Sequence, residues 1–238
     1  MTDYSISLII SAYNEEPIIE DCVRTCIDSL SNHFNDYELI LINDASTDRT
    51  GQLMDELAIK HKNIVTIHNK TNMNMGASIQ HGMLTAKKDY VTFNAADLPF
   101  DPDKYKVIMD NSPEADMIVV QRIKYNGTTK WRRISSLLNR AFMRILFPIL
   151  KWKIRDTNYL QITRRTVLPF LMPLAQGPIF TWPEMIFRAR HLKLKVKTAN
   201  ARYIPKHVRK GAFGKPDDIL SALKEMLHFR YLLWSRKI

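Results

Sequence analysis

Four clusters of polar residues follow short apolar runs along this 238-residue sequence. The clusters are Ser11–Glu16, Asn43–Asp48, Asn69–Asn74 and Asn94–Asp101. Their carboxylates, amides and hydroxyls can bind a polar ligand through hydrogen bonds, or they can simply make turns and cap helices. For any one cluster the two roles are about equally expected. Four clusters in equivalent positions favour a shared binding crevice lined by Asn, Asp, Glu and Tyr.

The elements between the clusters must position them. Mainly apolar runs predict five strands, at Ile6–Ile10, Leu39–Ile42, Ile64–Ile67, Tyr90–Phe93 and Met117–Val120. Apolar residues at helical spacing between these runs predict the intervening helices. Regular alternation of strand and helix is typical of an α/β fold with a doubly wound, mainly parallel sheet. In such a sheet ligands bind beyond the carboxyl ends of the strands, where all four clusters fall.

Motifs of several common enzyme classes are absent from the sequence. Neither G-x-G-x-x-G nor G-x-x-x-x-G-K-[ST] occurs, which disfavours hydride transfer and NTP hydrolysis. The absence of G-x-S-x-G and of H-E-x-x-H likewise disfavours the usual esterases and zinc proteases. The two cysteines, Cys22 and Cys26, have no histidine at zinc-like spacing, so they indicate neither a disulfide framework nor a metal site.

The positive charge is concentrated in one segment. The whole chain carries a net charge of +11, and residues 117–155 alone contain ten basic residues and no acidic one. A localised basic surface indicates an anionic partner, which could be nucleic acid, a membrane or a phosphorylated substrate. Within this segment Ile134–Leu150 has an apolar stripe beside its basic residues, and Trp131 precedes it. That pattern favours an interfacial helix on anionic lipid over a core helix, and it disfavours nucleic acid as the partner.

The sequence predicts peripheral membrane contact. A second helix, Pro216–Trp234, carries three aromatic residues near its end and is expected at the same surface as the basic segment. The uncharged run Thr166–Pro183 is interrupted by prolines and a glycine, so it does not predict a spanning helix. The first residues lack the basic start and apolar run of a signal peptide. We therefore expect a cytoplasmic protein bound peripherally to the inner face of the membrane.

The polar clusters resemble motifs of the inverting glycosyltransferases of family 2, which have a GT-A fold. Ser11–Glu16 resembles the family's P-A-Y-N-E segment, and Ile42–Asp48 resembles its V-D-D-G-S-T-D segment. Asn74–Gly82 resembles its run of an asparagine followed by glycines, and Asn94–Phe100 stands where the family places D-x-D. The resemblance implies a GT-A-like, doubly wound fold with membrane-proximal helices near its C-terminus. It implies one domain over residues 1–238, with a nucleotide-sugar-binding half (1–121) and an acceptor and membrane-interface half (122–238).

The second half resembles the branch of the family that includes dolichol-phosphate mannose synthase and bacterial polyprenyl-phosphate hexose transferases. The matching segments are Gln121–Arg122, Arg155–Tyr159, Pro183–Ala189 and His207–Lys215. This resemblance implies transfer of a hexose from a nucleotide sugar to a polyprenyl phosphate, with inversion. Two alternatives stay open. The acceptor could be a sugar or protein hydroxyl, or the chain could be a non-catalytic relative that binds a sugar nucleotide or glycan.

The resemblance also assigns site residues. The nucleotide-sugar-binding residues it implies are Ala12, Tyr13, Asn14, Glu15, Asp44 and Asp97. The catalytic residues it implies are Asp97, Arg122, Arg209 and Glu184. The two arginines would neutralise phosphate groups, whereas Glu184 would act as a base only for a hydroxyl acceptor. The family's divalent cation, Mg²⁺ or Mn²⁺, would be held by Asp97 alone, because Ala95 replaces the first aspartate of D-x-D.

Overall fold

The structure is a computed structural model that describes residues 4–123, 137, 141, 143–147, 154, 156–175, 180–202 and 216–235, with residues 216–219 described by their backbone. Seven strands form one sheet in the described ranges. They are β1 (Ile6–Ala12), β2 (Tyr37–Asn43), β3 (Ile64–His68), β4 (Tyr90–Ala95), β5 (Met117–Ile123), β6 (Leu160–Arg164) and β7 (Val196–Arg202).

The strand order is β3-β2-β1-β4-β6-β5-β7. β6 runs antiparallel to both of its neighbours, β4 and β5, and every other pairing in this sheet is parallel. The prediction of a doubly wound, mainly parallel sheet is therefore confirmed. The carboxyl ends of β1 to β5 lie at one edge, and because β6 is reversed its first residues lie at that same edge.

Seven helices accompany the sheet in the described ranges. They are α1 (Ile19–His33), α2 (Thr50–Lys60), α3 (Asn74–Thr85), α4 (Lys104–Asp110), α5 (Leu168–Leu171), α6 (Thr181–His191) and α7 (Pro216–Trp234). Residues 143–146 are also helical. Among the helices of the described residues, none combines the length and the apolar character that crossing a membrane requires.

Apolar clusters cover both faces of the sheet. Leu8 and Ile10 of β1 belong to the cluster beneath α1 and α4, whereas Ile9 between them belongs to the cluster beneath α3 and α6. This alternation follows from the two-residue period of a strand, and it explains why three consecutive residues, Leu8 to Ile10, are all apolar. Gly82 permits the close approach of α3, because a Cβ there would lie 2.8 Å from Cγ2 of Ile9 and 2.9 Å from Cδ1 of Ile42.

A third apolar cluster lies apart from the sheet. It joins the helical residues near 145 to α6 and α7 through Met143, Phe147, Phe180, Phe187, Ala222, Met226 and Phe229. Most described members of the stripe predicted over Ile134–Leu150 do not pack here, since Leu137 (63%), Ile145 (73%) and Ala141 are exposed. Leu146 is the exception among them, because it is half-buried and packs against the cluster that contains Met143 and Phe147 from off the stripe. The other stripe members lie outside the described residues.

Candidate active site

Strained backbone marks the edge where the strands end. Four residues without the freedom of glycine adopt positive φ there: Asn14 (55°), Ala45 (60°), Asn74 (66°) and Leu98 (46°). Each follows a different strand, and each lies in one of the four polar clusters singled out in the sequence. Strain of this kind persists where surrounding contacts enforce it, and it concentrates at functional sites. Because β1 to β4 are parallel and adjacent, the structure brings the four clusters to one edge of the sheet.

Asp44 is a buried carboxylate at the end of β2. Its Oδ1 accepts hydrogen bonds of 2.8 Å from both Nδ2 of Asn69 and the backbone N–H of Met73. No residue in the described ranges donates a hydrogen bond to its Oδ2. A carboxylate can accept on both oxygens, so the second oxygen is available to a ligand that donates N–H or O–H.

Asn69 orients Asp44 and was not among the predicted site residues. Its buried Nδ2 donates to Oδ1 of Asp44 and to Oγ of Ser78, each at 2.8 Å. Its Oδ1 lies 3.2 Å from Nδ1 of His81. Because the amide oxygen can only accept, His81 donates from Nδ1 and thereby fixes which side of the amide faces Asp44. The feature of the sequence that points to Asn69 is its position, because Asn69 directly follows β3 as Asp44 directly follows β2.

The loop after β1 is tied to the loop after β2. The carbonyl of Ala12 accepts from the N–H of Asp44 at 2.9 Å. Oδ1 of Asn14 accepts from the N–H of Thr47 at 2.8 Å, and the N–H of Asn14 donates to Oγ of Ser46 at 3.0 Å. Asn14 therefore supports the shape of the cleft through contacts within the protein.

The next residues of that loop differ in what they offer a ligand. The N–H of Glu15 donates to Oγ1 of Thr50 at 2.8 Å, which anchors the start of α2. Tyr13 keeps 46% of its surface exposed beside these anchored residues. The exposed part of this side chain can therefore pack against a flat ligand group.

Asp48 closes the loop after β2. Oδ1 accepts from Oγ1 and N–H of Thr50, and Oδ2 accepts from the N–H of Glu16 at 3.2 Å. Burial acts to raise the pKa of Asp48, but these hydrogen bonds outweigh it and hold the pKa below its ordinary value. The carboxylate is thus charged and committed to holding the β1 and β2 loops together.

The loop after β4 carries Asp97 on a braced backbone. Nδ2 of Asn94 donates to the carbonyl of Phe100 at 2.8 Å, and the N–H of Leu98 donates to the carbonyl of Ala95 at 3.0 Å. Within the described residues, no group of three or more histidine, cysteine, aspartate or glutamate residues could hold a metal ion. Asp97 can still supply one carboxylate, and a Mg²⁺-type site commonly uses one or two carboxylates together with substrate phosphates.

Arg122, at the end of β5, is paired with Asp156 from the segment before β6. Nε of Arg122 lies 2.5 Å from Oδ2 of Asp156, and Nη2 lies 3.0 Å from Oδ1. The guanidinium also lies 5.2 Å from the ring centroid of Tyr159, whose hydroxyl donates to the carbonyl of Pro99. The structure thus places Arg122 at the predicted edge, but as half of a bidentate ion pair. The sequence interpretation did not include Asp156 among the site residues.

Glu184, in the first turn of α6, is buried and fully engaged. Oε1 accepts from Nε of Arg188 at 2.8 Å, and Nη2 of Arg188 lies 2.7 Å from the same oxygen. Oε2 accepts from the N–H of Ala175 at 2.7 Å. These contacts suit a residue that positions the 174–175 segment. The fourth predicted catalytic residue, Arg209, lies outside the described residues.

Comparisons with known proteins agree with this architecture. The family model described as Glycosyl transferase family 2 matches residues 7–171. The dolichyl-phosphate beta-glucosyltransferase of Trichomonas vaginalis is 27% identical over 215 residues, covering 83% of this chain and 65% of that protein. The undecaprenyl-phosphate 4-deoxy-4-formamido-L-arabinose transferase of Proteus mirabilis is 26% identical over 139 residues, covering 58% and 43%. The chain therefore spans less than two thirds of the length of either relative.

A solved structure shares the fold. Glucosyl-3-phosphoglycerate synthase from Mycobacterium tuberculosis, in complex with Mn²⁺, UDP and glucosyl-3-phosphoglycerate, matches with a TM-score of 0.65 at 19% identity. The match covers 95% of this chain and 78% of that one. At this level of identity the likeness shows the fold alone, and it confirms the predicted GT-A-like architecture.

Proposed function

The chain belongs to glycosyl transferase family 2, and on that premise we propose that it transfers a hexose from a nucleotide sugar to a polyprenyl phosphate, inverting the anomeric carbon. The relatives named for dolichyl and undecaprenyl phosphate support the lipid acceptor. The observation that carries the choice of acceptor is the state of Glu184, whose two carboxylate oxygens are held by Arg188 and Ala175. A phosphate acceptor is already ionised and needs no such base.

The donor is proposed to bind between the loops after β1, β2 and β4. Oδ2 of Asp44 would accept a hydrogen bond from the nucleoside, either from a base N–H or from a ribose hydroxyl. The exposed ring of Tyr13 and the loop Ala12–Glu15 would form the adjoining wall. This assignment is supported by the fixed orientation of Asp44, because a preset acceptor loses little freedom when the ligand arrives.

In the proposed reaction a phosphate oxygen of the lipid forms a bond to the anomeric carbon. The bond from that carbon to the nucleoside diphosphate breaks, and the diphosphate departs with the electron pair. Arg122, and Arg209 by the family resemblance, would stabilise the phosphate charges. Because Asp156 already neutralises Arg122, the incoming phosphate would share or replace that carboxylate.

A divalent cation, Mg²⁺ or Mn²⁺, would lie on the donor side of this cleft. Asp97 would hold it, and the donor diphosphate would supply further oxygen ligands. Such an ion neutralises charge on the departing diphosphate. Asp97 would supply one carboxylate ligand and Ala95 supplies none. The cation would therefore be held only when the donor's phosphate oxygens also coordinate it.

The proposed location is the cytoplasmic face of an anionic membrane, with peripheral contact. The ten basic residues between 117 and 155 support it, because each basic residue near an anionic surface contributes on the order of 1 kcal/mol. The polyprenyl acceptor also requires it, since the long apolar chain stays in the bilayer.

The acceptor is tested by single-turnover transfer from a panel of nucleotide sugars to matched polyprenyl phosphate and polyprenol. We expect transfer to the phosphate and little to the alcohol. Glu184→Gln should slow transfer less than about tenfold, whereas loss of a general base typically costs ~10²–10⁴-fold. Thr181→Val is the matched control, because Oγ1 of Thr181 also holds Ala175, at 2.7 Å, without a carboxylate.

Three results would contradict the proposal. Equal transfer rates to polyprenyl phosphate and to polyprenol would contradict attack by the lipid phosphate oxygen. A loss of ~10² or more in Glu184→Gln, with Thr181→Val nearly unaffected, would identify a hydroxyl acceptor and a catalytic base. Failure of every donor to release nucleoside diphosphate would identify a non-catalytic, ligand-binding relative.

A further inference from the structure

α7 carries apolar residues on two opposite sides. One side holds Ala222, Met226 and Phe229 buried in the third apolar cluster, with Leu233 packed against it. The other side exposes Leu220, Leu227, Tyr231 and Trp234, each more than half accessible and Trp234 at 78%. At about 100° per residue, the centres of the two rows lie roughly 140° apart around the helix. A helix that had only to cover the cluster would need the first row alone, so packing against this cluster does not account for the second row.

The neighbouring helical residues present the same kind of surface. Leu137 and Ile145 are exposed, and exposed Arg144 lies beside Ile145. Phe147, two residues further on, packs against Phe229 of α7 with ring centroids 5.8 Å apart. The two exposed apolar surfaces therefore flank one shared cluster. Among the exposed residues described in these two segments, the charged ones are Arg144 and, on α7, Lys224, and both are positive.

The sign of this charge discriminates between two occupants. In a symmetric dimer a patch meets its own copy, so Arg144 and Lys224 would lie in an interface of like charge. Anionic lipid headgroups offer opposite charge to both residues and an apolar layer to the leucines. Tyr and Trp near one end of a helix are also the residues that favour the headgroup region of a bilayer.

We infer that the Leu220–Leu227–Tyr231–Trp234 face of α7 is a lipid-inserting surface that holds the protein on anionic membranes. This inference rests on the proposed function for its biological purpose, since it would bring the cleft to a membrane-bound acceptor. The basic segment would then supply charge attraction to the membrane, whereas this face of α7 would make the main apolar contact with the lipid.

The test is partitioning of the full chain onto phosphatidylcholine vesicles with and without phosphatidylglycerol. The variant is Leu227→Gln/Trp234→Gln, and Ile59→Gln/Leu84→Gln, exposed apolar residues on α2 and α3, is the matched control. We expect the α7 variant to lose about tenfold or more in partitioning onto anionic vesicles, from the lost apolar burial, and the control to bind as the parent does. Circular dichroism and the thermal midpoint verify that both variants fold.

The outcomes separate this inference from the proposed function. Equal partitioning of the α7 variant and the parent, or no binding of the parent, would overturn the lipid face. A parent dimer that the α7 variant abolishes, measured by light scattering, would assign the face to a second copy. Transfer to a short, water-soluble polyprenyl phosphate without vesicles requires no membrane contact, so it measures the proposed catalytic activity separately. We expect the α7 variant and the parent to transfer at the same rate in this assay.

Discussion

At the scale of single residues, the site depends on side chains whose partners decide what they can do. Asp44 has one oxygen occupied by Asn69 and Met73, which leaves the other for a ligand. Arg122 and Glu184 are each paired with an oppositely charged residue, so neither acts as an isolated charge. The residue type shows only that a carboxylate or a guanidinium is present. The hydrogen-bond partners in the structure show which of its atoms can bind a ligand.

Asn69→Asp tests the orientation of Asp44. The change replaces an N–H donor by an oxygen that faces Oδ1 of Asp44 at hydrogen-bond distance. Loss of a hydrogen bond to a charged group costs about 1.5–3 kcal/mol, so KM for the nucleotide sugar should rise about ten- to a hundredfold at pH 8, with a smaller change in kcat. Two adjacent carboxyl groups can share one proton as the pH falls, so the defect should shrink near pH 5.

Asn72→Asp is the control for that variant. It makes the same chemical change in the same loop, but Nδ2 of Asn72 contacts only the backbone carbonyl of Asp44, at 3.3 Å. Its KM should stay within a few-fold of the parent's. A pH-independent defect in Asn69→Asp, or an equal defect in Asn72→Asp, would mean that Asn69 acts only through general stability.

At the scale of elements, the position of α3 on the sheet is set by one small residue. Gly82→Ala should lower stability, because the new Cβ would meet Ile9 and Ile42 at less than 3 Å. Overpacking of this kind costs about 1–3 kcal/mol, offset in part by the better helix propensity of alanine. Chemical denaturation measures the net loss.

A double-mutant cycle identifies the cause of that loss. Ile42→Val removes the Cδ1 atom that the new methyl would meet, so Gly82→Ala should be less damaging in the Ile42→Val background. Leu84→Ala, exposed on the same helix, should change stability little. If Gly82→Ala lowers the free energy of unfolding equally with and without Ile42→Val, contact between the new Cβ and Ile42 is not the cause of the loss.

At the scale of the whole molecule, acid should weaken the junction where β1 and β4 begin. Asp89 accepts from Oγ of Ser5 at 2.7 Å and from its N–H at 3.1 Å, and these bonds lower the pKa of Asp89. A depressed folded-state pKa stabilises the fold above the unfolded-state value near ~3.9, and the contribution is lost as the pH falls through the folded-state pKa. Asp89→Asn should therefore flatten the fall of the thermal midpoint below about pH 4. An unchanged acid profile would contradict this role.

Much of this architecture could be predicted from sequence, and the limits have physical causes. The five strands and the helices between them could be predicted because strands buried on both faces leave mainly apolar runs. The family and the GT-A-like fold are also confirmed. The pairing of Arg122 with Asp156 joins positions 34 residues apart and depends on a reversed strand that no local pattern announces. The exposed stripe near Ile145 was recognised as apolar, but periodicity alone does not tell which side of a helix packs.

The placement of β6 also constrains the order in which the chain can fold. β6 lies between β4 and β5, so those two strands, close in sequence, are never neighbours in the sheet. During synthesis the open side of β4 stays unpaired until residue 164 has left the ribosome, and β5 has no strand to pair with until then. The first strands can therefore assemble early, while the half of the cleft that holds Arg122 forms late through long-range contacts, which are slow to form. Vectorial synthesis thus builds the proposed donor side before the proposed acceptor side.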